Sequence, residues 1–261
     1  MSRQSGQLLN QLSVLLPESV VAPSEWLIAQ GYSRQSLNKY KNNHWLDQPV
    51  KGVYVRSESP VTWQGALLGL QQLAELPFHM GGITALNQQG LAHYVPLGKE
   101  KIHLWGTGSL PAWVRKLPIA KDWVFHTRRL FEQRVNEVGL IQLPTKVRDW
   151  QITASSPERA ILEVLSEVSQ DQASFTAAAE LMEGLTTLKP YLLNSLLSAC
   201  RQVKTKRVFL FLAHYFNYPW LEGLDWKSLD LGSGKRLVVK NGKLDKQFNI
   251  TVPEQFYVKQ G

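Results

Sequence analysis

The chain has 261 residues, 44% of them hydrophobic, which is enough for one or two sizeable cores and excludes wholesale disorder. Lys and Arg total 29 against 21 Asp and Glu, and the resulting net charge of +8 favours a polyanionic partner. A single cysteine, Cys200, excludes an internal disulfide and a cysteine-based metal site, and with no signal-peptide pattern and no bilayer-length apolar run it points to a reducing cytoplasm and no membrane.

From the start, Gln7 to Leu16 place Leu8, Leu12, Leu15 and Leu16 on one helical face, with Pro17 just beyond. Pro23–Ser24 opens a second short helix carrying Trp26 and Leu27, and Gly31 stops it. Ser33 is a good N-cap for a third helix, Arg34 to about Asn42, in which Leu37 and Tyr40 share one face. Arg34, Gln35, Asn38 and Lys41 follow the spacing i, i+1, i+4, i+7 and share the other. That face holds no acid and no apolar residue. Arg, Gln and Asn read base edges through paired hydrogen bonds, and Lys neutralises phosphate. Trp45–Leu46 and Val53–Tyr54 then bracket a turn with Pro49, Lys51 and Gly52. The order fits a winged helix-turn-helix, and for the isolated segment an ordinary solvated helix fits equally. Between Gly31 and Arg56 five basic residues face Asp47 alone, so positive charge gathers on this stretch.

A domain break is expected at Ser57–Pro60, giving a winged-helix domain over 1–57 and a second domain over 60–261, with a weaker sub-boundary near 155. Trp63 to Leu76 has a strong helical pattern with Thr62 as cap and Pro77 as stop, and Thr84 to Gln89 reads as another helix. Short strands are expected at Lys101–Trp105, Trp123–Thr127 and Trp150–Ala154. Ser156 caps a helix running to Val168, and further helices fall within Phe175–Leu185 and Tyr191–Phe216. Arg236–Lys240, the turn Asn241–Gly242 and Leu244–Val252 read as a closing hairpin. The fold class is therefore α+β: an N-terminal winged helix-turn-helix, then a larger mixed α/β domain ending in a β-hairpin.

No catalytic constellation emerges. Gly232–Lys235 (GSGK) lacks the upstream glycine and the Ser/Thr of a P-loop, so a tight basic turn is the better reading. Gly106 and Gly108 are half a dinucleotide fingerprint. His44, His79, His93, His103, His126 and His214 form no pair at zinc spacing, and neither a metal nor a cofactor is expected. Ser155–Glu158 looks enzyme-like, yet a helix start accounts for it. Residues 201–250 are different, with ten basic and four acidic side chains, whereas 156–199 hold two basic and six acidic ones. Arg201, Lys204, Lys206 and Arg207, with Lys235, Arg236 and Lys240, form either a second phosphate- or RNA-contacting surface or a plain solvated face.

Four runs, taken in order, resemble the AbiEi-type antitoxins of type IV toxin–antitoxin systems. They are WLIAQGYSRQSLNKYKNNHWL with KGVY; VTWQGALLGLQQL leading into GGITALNQQGLAHYVPLG; SSPERAILEVL; and AAELMEGLTTLKPYLLNSLLSACRQVKTKRVFLFLA followed by LDLGSGKRLVV. The resemblance covers most of the chain and lies in the set of runs, none of which is a catalytic signature. It implies an N-terminal domain that binds double-stranded operator DNA and represses its own operon. It implies a second domain that counteracts a nucleotidyltransferase toxin without forming a stable complex, within an abortive-infection defence against phage. It places the reading helix on Ser33 to Asn43, with Arg34, Gln35, Asn38 and Lys41 as contacts, Lys39 and Asn42 flanking them, and Lys51 in the wing. A monomer that pairs on inverted repeats is the expected arrangement. Two other readings stand beside it: a solitary winged-helix regulator without a toxin, and a nucleic-acid-processing enzyme with a winged-helix targeting domain.

Overall fold

A computed structural model describes residues 3–92 and 101–257. His93 and the end of the second resembling run lie outside the described residues.

The chain opens with α1 (Arg3–Leu15), then β1 (Ala22–Pro23), α2 (Ser24–Ala29), α3 (Arg34–Asn42), β2 (Leu46–Asp47) and β3 (Val53–Arg56). The three strands form an antiparallel sheet in the order β1-β3-β2, pairing Ala22 with Tyr54 and Leu46 with Arg56. Leu12, Leu16, Val21, Leu27 and Leu37, with the strand residues Leu46, Val53 and Val55, are buried. Three helices and this sheet, in this order, make a winged helix-turn-helix.

Next comes α4 (Trp63–Leu68), whose first turn Thr62 caps by accepting from Gly65 N at 3.1 Å. The sequence pattern anticipates one regular helix to Leu76. Instead the chain widens into a π-turn over Gly69–Leu73. The widened turn accompanies an amide clamp by Gln71. Its Nε2 donates to the carbonyls of Phe78 (2.8 Å) and Thr153 (3.0 Å), and its Oε1 accepts from Thr153 N (2.9 Å). Gly65 and Gly69, four apart, let this helix lie directly on the chain at 19–21, where Val21 N donates to Gly65 O at 3.2 Å.

The remaining elements are β4 (Phe78–Met80), α5 (Gly82–Gln88), β5 (Ile102–Gly106), α6 (Ala112–Lys116), β6 (Trp123–His126), β7 (Leu140–Pro144), β8 (Gln151–Ser155), α7 (Pro157–Ser166), α8 (Gln172–Glu183), α9 (Pro190–Ala199), α10 (Val203–Phe216), β9 (Lys243–Asp245) and β10 (Ile250–Val252). Five strands make one sheet in the order β6-β5-β4-β8-β7, parallel at β5–β6 and at β4–β8. β4, β7 and α6 carry too few residues of one period to stand out in the sequence.

Two compact units are distinguished. The first gathers the described residues of Met1–His79, Lys99–Thr127 and Gln142–Thr153, and the second those of Met80–Gly98, Arg128–Ile141 and Ala154–Gly261. Within the second, α7 carries a buried polar network. Glu163 accepts from Ser155 Oγ (2.8 Å), Gly82 N (2.8 Å) and Arg159 Nε (3.2 Å). Arg159 also reaches the carbonyls of Val135, Asn136 and Val138 and lies 4.9 Å over the Phe131 ring. Ser156 stands at the N-cap position, but its hydroxyl donates to Glu158 at 2.7 Å rather than capping the helix. The SSPERA run is therefore a structural knot.

The closing hairpin pairs β9 with β10, Leu244 opposite Thr251. Its reversal falls at 246–249, where Asn249 takes a φ of +53° and Asp245 Oδ1 accepts from Phe248 N at 2.7 Å. Asn241–Gly242 only leads into β9. The segment before it is turned inward because the amides of Val238 and Val239 both bond Thr251 Oγ1 (2.9 and 3.0 Å).

Candidate nucleic-acid interface

α2 and α3 are set by a tight turn. Gly31 takes a φ of +93°, and its amide donates to Ile28 O at 2.9 Å. Tyr32 follows, buried, with its ring edge-on to Tyr40 at 6.3 Å. Burial raises the pKa of both phenols, and for Tyr32 the nearby Tyr40 adds to it. Ser33 then caps α3: its Oγ accepts from Ser36 N at 3.0 Å. Leu37 and Tyr40 anchor the helix to the core, and this anchoring fixes which face points out.

Arg34, Gln35, Asn38, Lys39 and Asn42 are exposed and Lys41 is half-buried. Among the described residues none forms an ion pair or side-chain hydrogen bond with Arg34, Gln35, Asn38, Lys39, Lys41 or Lys51. Lys39 and Lys41 sit in the last turn, where a cation suits the helix dipole. Arg34 does not have that explanation. It occupies the first helical position, the positive end of the dipole, in a first turn without an acid. The wing turn between β2 and β3 carries Lys51, exposed, and Gly52, whose φ is +95° and whose carbonyl accepts from Ser24 N at 2.9 Å. Asp47 is tied to the far base of the wing, accepting from Ser57 Oγ and Glu58 N, both at 3.2 Å. The row on α3 and the wing lysine thus present donors and positive charge on one small domain.

Trp45 departs from expectation. Its aromatic type and its place beside buried Leu46 favour burial, yet it is 50% exposed. It lines a cavity of about 360 Å³ with Leu9, Asn10, Leu12, Ser13, His44, Arg56, Ser57 and Glu58.

The second basic region is only partly a surface. Lys206 and Arg207 are 5% and 2% exposed, and this burial corrects their reading as surface contacts. The Arg207 guanidinium donates to the carbonyls of Leu231 (2.8 Å), Gly232 (2.9 Å), Gly234 (2.6 Å) and Asn249 (3.2 Å). Its pKa is lowered by burial and then by the neighbouring Arg236. Lys204 is half-buried with Nζ on Val168 O at 2.8 Å; burial lowers its pKa, partly offset by Glu167. Arg201, Lys235 and Lys240 are exposed and Arg236 is half-buried. Sequence reasoning passed over Arg128 and Arg129. Both are exposed on a segment held beside Arg201 by Arg201 N to Leu130 O and Glu132 N to Ala199 O, each 2.9 Å. The Arg-Arg pair closing a strand was the available signal. Among the described residues there is no group of three or more His, Cys, Asp or Glu able to hold a metal, and no helix long and apolar enough to cross a membrane.

Residues 99–253 match the family model of the AbiEi antitoxin, a transcriptional regulator of type IV toxin–antitoxin systems, and residues 5–97 match the model of that antitoxin's N-terminal domain. The chain belongs to the AbiEi antitoxin family. This family is one of transcriptional regulators. Among curated proteins no significant match is found. Among solved structures the chain is similar to the crystal structure of the RV2827C protein from Mycobacterium tuberculosis, at 16% identity and a TM-score of 0.56, over 96% of this chain and 90% of that one. At that identity the likeness shows the shared fold.

Proposed function

We propose that this AbiEi-family protein binds operator DNA through α3 and the wing, represses its own operon, and counteracts a nucleotidyltransferase toxin without a stable complex. The observation that carries the reading is the unpaired row Arg34, Gln35, Asn38 and Lys41 on a helix capped at Ser33 and anchored by Leu37 and Tyr40. In this reading Arg34, Gln35 and Asn38 meet base edges in the major groove. Lys39, Lys41 and Lys51 neutralise phosphates, and Asn42 flanks them. Ser33 holds the helix start and leaves the base contacts to its neighbours. Two copies occupy an inverted repeat. We assign the winged-helix module to 1–57 and toxin neutralisation to the remainder, 60–261, with Arg201, Lys235, Arg236 and Lys240 as its accessible cations.

Gel-shift titration on the operon's own promoter tests it. Arg34→Ala is expected to cost roughly 1–3 kcal/mol on the specific site and to relax sequence preference. Lys51→Ala is expected to weaken specific and random DNA alike and to lower the salt slope by about one. Unchanged promoter affinity in Arg34→Ala would overturn the assignment. Co-expression with the product of the adjacent reading frame tests the antitoxin half: growth rescue supports it, and toxicity unaffected by this chain refutes it.

A further inference from the structure

The loop at 230–236 is built around a cation that has no carboxylate partner among the described residues. Arg207 lies in the interior, and every acceptor on its guanidinium is a backbone carbonyl: Leu231, Gly232, Gly234 and Asn249. Carbonyls satisfy the donors but leave the charge uncompensated. Left-handed backbone at Gly232 and Gly234, with φ of +61° and +72°, turns these carbonyls inward. The amides of Ser233, Gly234 and Lys235 have no acceptor among the described residues, and all three residues are exposed. Successive free amides in a tight turn are a common anion concavity.

The surrounding charges reinforce this. Arg236 lies against the loop: a Cβ built on Gly232 or Gly234 would come within 3.8 and 3.9 Å of its guanidinium nitrogens. Its Nη1 also donates to Lys235 O at 3.4 Å. Lys235 itself is exposed. The loop packs on the start of α10, where the same built Cβ on Gly232 meets Val203 at 3.2 Å. That helix has no acid in its first turn and carries Lys204 and Lys206 there, where cations oppose the dipole, with Arg207 following. Two acids are close: Asp230, which accepts from Gly232 N at 2.8 Å at the loop's start, and Glu167, beside Lys204; against them stand Lys204, Lys206, Arg207, Lys235 and Arg236. A helix start and a loop that both carry positive charge unfavourable to their own stability are matched to a bound anion.

We infer that the 232–236 loop binds the terminal phosphate of a phosphate monoester, with the amides of Ser233, Gly234 and Lys235 and the side chains of Lys235 and Arg236 as donors. A monoester dianion offers three free oxygens to these donors, whereas a backbone phosphodiester offers two and one charge. Arg207 is a positioning residue that shapes the loop from beneath. This site goes beyond the α3 reading and does not depend on it.

The test is an amide NMR titration of the full chain with three probes at equal ionic strength: inorganic phosphate, adenosine 5′-monophosphate, and an oligothymidylate without terminal phosphates. Saturable shifts at Ser233, Gly234 and Lys235 are expected with the first two, and they should weaken about tenfold in Lys235→Ala/Arg236→Gln. Both substitutions fall outside the core, so the variant keeps its spectrum elsewhere. Absence of saturable shifts at these amides, or shifts that the double variant leaves unchanged, would overturn the site. Equal response to the oligothymidylate would also overturn it and make the loop part of a phosphodiester-binding surface.

Discussion

Gly69→Ala isolates the contact that fastens α4 to the winged helix. A Cβ on Gly69 would lie 1.9 Å from Val21 O and 3.0 Å from Val21 C, and a Cβ on neighbouring Gly65 would lie 1.8 Å from Ser19 O. The obstacle is main chain, so no side-chain rotation relieves it. A carbon and a carbonyl oxygen need roughly 3.3 Å, so the helix or the 19–21 segment must retreat by more than an ångström, which stretches the Val21–Gly65 hydrogen bond at 3.2 Å. Overpacking of this kind costs about 1–3 kcal/mol or more, and weakening that bond adds about 1 kcal/mol. Alanine recovers at most about 1 kcal/mol in helix propensity. The balance is a loss of roughly 1–3 kcal/mol in the first unit, a fall of about 1 M in the urea midpoint. Urea denaturation followed by tryptophan fluorescence measures it, with Gly90→Ala as a control where no neighbouring atom obstructs a Cβ and only the left-handed φ of +70° is strained. A midpoint equal to or above wild type in Gly69→Ala would refute the claim that backbone contact at this position requires glycine.

Three other outcomes follow from the geometry. Gln71→Leu removes three hydrogen bonds to Phe78 and Thr153 while keeping bulk, and is expected to destabilise by about 2–4 kcal/mol because the strand groups lose their partners; hydrogen exchange at Thr153 reads it directly. Arg159→Met removes the ion pair to Glu163 and the guanidinium bonds to the Val135, Asn136 and Val138 carbonyls in the interior, and a loss of about 3 kcal/mol is expected in chemical denaturation. Cys200 is buried, and burial pushes its thiol from 9.0 up to about 11. The native thiol should resist alkylation at pH 8. A raised folded pKa gives stability that is complete below pH 9 and lost as pH climbs through 11, at most roughly 2–3 kcal/mol, so Cys200→Ala should flatten the alkaline limb of the stability profile.

What the sequence made legible follows from where its signals are local. Ser33, Leu37, Tyr40 and Gly31 define α3 and its turn through contacts within a dozen residues, and the exposed face follows by subtraction. β4 and β7 were not visible, because a three-residue strand and a half-exposed one are fixed by partners distant in the chain, Ala154 among them. The π-turn after α4 escaped for the same reason: Gln71 acts on Thr153, 82 residues away. Arg207 shows the converse error. Its neighbours in sequence are basic, which predicts a basic surface, yet the carbonyls that hold it come from 24 to 42 residues downstream.

Both units place cations at the positive end of a helix, Arg34 on α3 and Lys204 and Lys206 on α10, with no acid in either first turn. Each such cation opposes the dipole by about 0.3–1 kcal/mol, more where it is desolvated, so stability alone would favour Asp or Glu at these positions. The same amide ends that disfavour a cation are ready to receive a phosphate or a base acceptor. Helices designed only for stability would be charged the other way round. On α3 the surrounding surface is open and Arg34 projects from it, consistent with a long nucleic-acid contact. On α10 the Arg207 charge lies under a glycine loop whose exposed amides at Ser233, Gly234 and Lys235 face one short segment. The two placements share an electrostatic logic and differ in shape, and shape is what separates the two ligand classes proposed for them.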